Sequence, residues 1–106
     1  GRVGGLYNSI EINKLARENG IPVWVGGMLE SAVGSSICVE LATLDNFTYP
    51  GDLFPSSRFY VRDLSEPSLE LTENLTFKPF GIDLPTPNAD MLKKCTLKKI
   101  VISSNK

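Results

Sequence analysis

Histidine is missing altogether from the 106 residues. That excludes a Ser-His-Asp triad within this chain and leaves Lys, Asp, Glu, Tyr or Cys for any acid or base. Cysteine is scarce as well: Cys38 and Cys95 stand far apart rather than as Cys-x-x-Cys, and without histidine a zinc site would rest on thiolates and carboxylates alone. Cys38 falls in an apolar helical pattern and is expected to pack as a small hydrophobe, with both thiols reduced. An excess of one charge is lacking too. Eleven Lys+Arg face twelve Asp+Glu, a formal net charge of -1, so the basic footprint of phosphate-backbone binding is absent and no nucleic-acid partner is expected. The pairs Lys93-Lys94 and Lys98-Lys99 read as a solvated face. Long hydrophobic runs are also absent. The charge-free stretch around Gly20 to Leu29 falls well short of the roughly 20 residues a bilayer demands, and no charged-then-apolar leader is expected. The expected location is cytoplasmic, with no membrane contact, and the Asn46-Phe47-Thr48 and Asn74-Leu75-Thr76 triplets are expected to stay unglycosylated.

What is present is 42% apolar residues, nine glycines and seven prolines, the composition of one globular unit rather than a disordered tail. From Leu6 to Asn19 the spacing of Leu6, Ile10, Leu15 and Ala16 roughly fits a helical pattern, and Gly20 supplies the stop. Ile21-Pro22-Val23-Trp24-Val25 is short, β-rich and apolar on both faces, as in a buried parallel strand. Ser31 is expected to cap a second helix to about Leu44, with Val33, Ile37, Leu41 and Leu44 recurring at helical spacing. A parallel strand needs neighbours. The one nearby candidate is Asn46 to Tyr49, stopped by Pro50-Gly51 and followed by a loop from Asp52 to Asp63. The composition changes near Ser65-Glu66-Pro67. Beyond it, Leu69 to Leu71 and Leu75 to Phe77 read as a hairpin, Phe80 to Pro87 as extended, Asn88 as the cap of a brief helix, and Leu97 to Ile102 as a final strand.

Two motifs carry possible chemistry. Gly1-Arg2-Val3-Gly4-Gly5 ahead of a helix suits an anion, but it lacks the P-loop lysine and the dinucleotide spacing, and reads rather as a close-packed strand-to-helix turn. Gly26-Gly27-Met28-Leu29-Glu30-Ser31 is more informative, because in parallel α/β folds ligands sit at the carboxyl ends of strands. Glycines there admit a ligand to the backbone, and Glu30 is positioned to meet a substrate oxygen. The plain alternative is a tight turn with Glu30 complementing the helix dipole. Asp52, after Pro50-Gly51, is a second carboxylate at a strand end, or a solvated turn residue.

Taken together, Gly1 to Leu6, Gly20 to Ser31 and Pro50-Gly51-Asp52-Leu53 resemble the carboxyl-terminal part of the enolase superfamily. The resemblance is to its muconate lactonizing enzyme subgroup, and within that to o-succinylbenzoate synthases and N-acylamino acid racemases. Glu66-Pro67, the hairpin and Phe80-Gly81-Ile82 extend it over nearly the whole chain. The resemblance implies an α/β fold that is the carboxyl-terminal fragment of a (β/α)7β TIM-like barrel plus the returning tail of an α+β capping domain. Residues 1–64 would hold the sixth barrel helix (Leu6 to Asn19), the seventh strand (Ile21 to Gly26), the seventh helix (Ser31 to Leu44) and the eighth strand near Asn46 to Tyr49. Residues 65–106 would form the tail.

The family's reaction takes a proton from the carbon next to a carboxylate and stabilises the enediolate on a divalent cation, usually magnesium, between two lysines. Those lysines and the three acidic ligands are expected on earlier strands, so no metal ligand is expected in this chain and, alone, it is expected to be inactive. The resemblance makes Gly27, Met28 and Leu29 substrate-binding positions, with Asp52 near the eighth-strand end. It makes Glu30 the candidate catalytic residue, electrophilic beside the substrate carboxylate or one layer behind it. The implied partners are the remaining amino-terminal part of the enzyme and a small carboxylate substrate, with homo-oligomer formation permitted. Dehydratase and racemase share the proton abstraction, and the dehydration product belongs to menaquinone synthesis. The rival reading is a self-standing, non-catalytic α+β binding module, which a cooperative thermal transition of the pure monomer would favour.

Overall fold

The computed structural model describes residues 1–103; the end of the expected tail unit, 104–106, lies outside the described residues. Helix α1 (Leu6–Glu18) ends as its sequence foretells. Gly20 takes a left-handed φ of 66°, its N–H donates to Arg17 O at 3.0 Å, and the Ile21 N–H donates to Ala16 O at 2.8 Å. These two bonds satisfy carbonyls of the last turn that the helix itself leaves free, in the manner of a Schellman motif.

The chain then runs extended into its one parallel pairing. Val23 N–H donates to Asn46 O at 3.0 Å, Asp52 N–H to Val25 O at 2.9 Å and Gly27 N–H to Asp52 O at 2.7 Å, with Val23 opposite Phe47 and Gly26 opposite Asp52. Two expectations change. The ladder consists of isolated bridges rather than a continuous strand, and it reaches Asp52 instead of stopping at Tyr49. Gly51 allows the reach: a Cβ there would stand 3.3 Å from Val25 Cγ1, so a side chain would press on the neighbouring segment. Nor is the first segment buried on both faces. Val25 is buried, while Trp24 is 54% exposed, because the described residues cover one face and one edge only.

Helix α2 (Ala32–Leu41) is shorter than expected and turns a different side inward. Of the expected stripe Leu41 is buried, whereas Ile37 and Leu44 remain partly exposed, and Ala32, Ser35, Ser36 and Val39 are buried instead. The small side chains let the tail approach closely: Ala32, Val39 and Leu69 form the core cluster, with Leu53, Phe77 and Phe80 packed against it. Glu40 adds a polar tie, its Oε1 accepting the Phe80 N–H at 2.6 Å and the Gly81 N–H at 3.0 Å.

Beyond Asp52 the chain departs from its predicted outline in two places. A 3-10 turn (Ser56–Arg58) interrupts the expected loop. The hairpin closes through the antiparallel Leu71 and Phe77 bridge, and strand β1 (Ser65–Glu66) pairs with β2 (Thr86–Pro87) in antiparallel register. Helix α3 (Ala89–Cys95) is capped by Asn88, whose side chain accepts the Met91 N–H at 3.0 Å. The expected strand over Leu97 to Ile102 is not formed. Leu97, Ile100, Val101 and Ile102 are exposed, and with no second strand against them among the described residues their backbone groups stay with solvent. The result is a flat body of 46 × 45 × 22 Å with a radius of gyration of 15.9 Å, wider than the ~13 Å of a compact domain of about 100 residues.

Candidate active site

The parallel pairing brings two loop ends together. Gly26 and Gly27 leave the first segment where Asp52 leaves the second, and the Gly27 N–H bonded to Asp52 O at 2.7 Å fastens them. A cavity of about 900 Å³ opens there, lined on this side by Gly27, Met28, Glu30 and Asp52 and on the other by Ser9 and Asn13 of α1. That volume lies in the range of small-molecule sites. Gly27 is required by the close approach: a Cβ on it would stand 3.1 Å from Asp52 O and 3.3 Å from Glu30 Oε2.

Glu30 folds back on its own loop. Its Oε2 accepts the Met28 N–H at 2.9 Å, which fixes the carboxylate at the cavity wall beside the glycines. Leu29 differs from its neighbours in not lining the cavity. Its side chain is exposed, and its carbonyl accepts the Tyr60 hydroxyl at 2.5 Å. Of the five candidate residues, four therefore border one cavity, and Leu29 braces it through the backbone.

Three further residues enter that no motif in the sequence marked for this place. Arg2 lines the cavity, its guanidinium 4.0 Å from Met28 Sδ. Cys38 lines the floor, where burial and then the negative charge of Glu30 push its thiol pKa up, so it stays protonated and packs as a neutral group. Asp63 lies behind the rim. Ser31 occupies the N-cap position of α2 but makes no side-chain cap bond; the Ala32 N–H donates instead to Asp63 Oδ2 at 2.9 Å. This corrects the expected Ser31 cap, and the reason is that the segment ahead of the tail delivers the Asp63 carboxylate to the helix start, where the dipole favours negative charge. Burial pushes the Asp63 carboxyl upward, yet hydrogen bonds from Ser56, Ala32 and Ser65 outweigh it and hold the pKa below the ordinary aspartate value.

Among the described residues no three Asp, Glu or Cys side chains converge as metal ligands would. The described residues do not fit a magnesium site, and nothing in their chemistry is routed through one. No helix among the described residues is long and apolar enough to cross a membrane.

Relatives of the chain share this sequence at substantial identity. It is 44% identical over 79 residues to an o-succinylbenzoate synthase of Geobacillus kaustophilus, covering 74% of this chain and 21% of that protein. It is 40% identical over 105 residues to an N-succinylamino acid racemase of Amycolatopsis sp, covering 98% of this chain and 28% of that protein. A crystal structure of an enolase-superfamily member from Listeria innocua superposes with a TM-score of 0.72 at 36% identity, over 88% of this chain and 25% of that one. No protein-family model matches the chain. The chain thus spans about a quarter of the length of the relatives it matches. Shared sequence and shared fold together show that it belongs to the enolase superfamily.

Proposed function

We propose that this chain is the carboxyl-terminal part of an enzyme of the muconate lactonizing enzyme subgroup that abstracts a proton α to a carboxylate, as an o-succinylbenzoate synthase-like dehydratase or an N-acylamino acid racemase. In this reading residues 1–64 are the last βα units of a (β/α)7β barrel and residues 65–106 the tail returning to an α+β capping domain. The observation that carries it is the parallel pairing that sets Gly27, Met28 and Glu30 beside Asp52 at one end of two adjacent extended segments, facing a single cavity. That is where barrel folds gather their substrate loops.

The chain's own contribution is pocket wall. Gly27 and Gly51 let the two segments close up on each other, Met28 offers an adaptable apolar surface, and Glu30 and Asp52 bring acceptors to the edge of the site. The two lysines that move the proton, and the ligands of the family's magnesium ion, belong to the remaining amino-terminal part, its obligate partner. The substrate is a small carboxylate, the location cytoplasmic, and the dehydratase branch would serve menaquinone synthesis. Further copies in a homo-oligomer are compatible with it. The exposed apolar groups of α1 and of Trp24 weigh against a self-standing module, because monomers rarely leave such surfaces uncovered.

Co-expression with the amino-terminal part supplies the test. Deuterium should enter the α position of N-succinylamino acids, or o-succinylbenzoate should form, only with both parts and magnesium present. A folded, metal-loaded assembly that does neither with any such substrate would refute the reading.

A further inference from the structure

The rim of the cavity is held from behind by the segment 56–63 that leads into the tail. Between Met28 and Ala32, three successive ties fix the backbone: Glu30 Oε2 accepts the Met28 N–H, Leu29 O accepts the Tyr60 hydroxyl, and the Ala32 N–H donates to Asp63 Oδ2. Asp63 is itself only 7% exposed and fully engaged. Its Oδ2 also accepts the Ser56 hydroxyl, and its Oδ1 accepts the Ser65 N–H at 3.2 Å and the Ser65 hydroxyl at 3.1 Å. Ser56 is anchored in turn, its Oγ accepting the Leu69 N–H at 2.9 Å while its own N–H donates to Leu69 O at 2.7 Å. Leu69 is the most deeply buried large apolar residue of the core cluster. A continuous chain of bonds therefore runs from the core of the tail to the loop that carries Met28 and Glu30.

A helix cap needs nothing so elaborate. Ser31 already stands at the N-cap position and a serine there ordinarily satisfies the first turn. The acceptor comes instead from 31 residues downstream, and a second tie over the same sequence separation comes from Tyr60. We propose that Asp63 and Tyr60 are positioning residues for the pocket rim Met28–Ser31, setting where the Met28 side chain and the Glu30 carboxylate meet a small carboxylate substrate. The inference rests on the proposed role of the cavity as a substrate pocket. Both residues act through the rim backbone.

The test uses the assembled protein, with Tyr60→Phe and Asp63→Asn measured beside wild type. Loss of one neutral hydrogen bond at the rim should raise KM about fivefold in Tyr60→Phe, with kcat within about twofold, since a wall that binds ground and transition states alike shifts KM alone. Asp63→Asn, which loses bonds to a charged acceptor, should raise KM by roughly tenfold or more. Amide hydrogen exchange should accelerate at residues 28–34 in both variants and stay unchanged in α1. An unchanged KM with unchanged exchange at the rim overturns the proposal. So does faster exchange spread evenly over the chain, which would mean a general loss of stability. If Asp63→Asn fails to fold, Tyr60→Phe decides, because its hydroxyl lies at the edge of the fold. If the wild-type assembly has no activity, the enzymatic reading falls. Rim-confined exchange in the variants then upholds the clamp, and unaltered exchange ends it.

Discussion

Helices α1 and α2 make an instructive pair. α1 is the longer, with 13 residues and an apolar pattern legible in its sequence, yet with the described residues as its only neighbours it buries none of them. α2 has 10 residues, five of them buried, two of which are serines. The difference is one of neighbours. The tail folds back over α2 with Leu69, Phe77 and Phe80, whereas nothing of comparable extent lies over Leu6, Ile10 and Leu15. A helical stripe states that a face is to be covered and leaves open what covers it.

The sharpest way to break the contrast is in the core. Leu69→Ala should cost about 2–4 kcal/mol, since a residue 1% exposed loses its packing and leaves a cavity; Leu15→Ala, on a residue 63% exposed, should stay within about 0.5 kcal/mol. Urea unfolding of the two variants compares them directly, and equal losses would show that α1 is as well covered as α2. Adding the amino-terminal part should enlarge the Leu15 effect and leave that of Leu69 unchanged.

Next in size comes the polar tie between α2 and Asp63. Asp63→Ala should lose about 1.5–3 kcal/mol, the range for hydrogen bonds to a charged acceptor. Its pH dependence has a definite sign. The folded Asp63 carboxyl is held below its unfolded value, so its contribution is complete above the ordinary aspartate value of about 3.9 and disappears as pH falls through the lower folded value. Stability of wild type and Asp63→Ala should therefore converge below about pH 4, as acid titrations followed by circular dichroism would show; a constant gap down to pH 2 would mean that the carboxylate charge contributes nothing.

A smaller effect is expected at the loop ends. Gly27→Ala forces a methyl to within 3.1 Å of Asp52 O and should cost about 1–3 kcal/mol through local overpacking. The same change at Gly20, whose φ is 66°, should cost about 1–2 kcal/mol because the left-handed conformation is unfavourable to any Cβ. Thermal unfolding ranks the two, and a neutral Gly27→Ala would show that the loop ends are not fastened to each other.

Several elements could be read from sequence because their causes are local. Gly20 ends α1 through its own backbone freedom, Asn88 caps α3 through its own side chain, and the Leu71 and Phe77 bridge lies across a turn of a few residues. The rim sequence from Gly26 to Glu30 could likewise be marked, since two glycines after an apolar run state where a backbone is left open. Other features were illegible for a physical reason. Whether Pro50-Gly51 ends a strand or lets it pass depends on Val25, about a quarter of the described chain away, and the register that brings Asp52 level with Gly26 is set by that contact. Asp63 reads as one more loop acid, because its partners Ala32 and Ser56 are gathered only by folding.

By itself, then, the sequence determined the three helices in outline, the apolar segment with its glycine exit, the exclusion of histidine chemistry, and the family to which these motifs point. Tertiary structure alone decided which face of α2 is buried, that Leu97 to Ile102 stays unpaired among the described residues, and that the Asp63 carboxylate caps the helix behind the pocket rim. Helix propensity, turns and caps act over a few residues and are written in order along the chain. Burial and long-range hydrogen bonds depend on which surfaces meet, and that is fixed only when distant segments compete for the same apolar and polar groups.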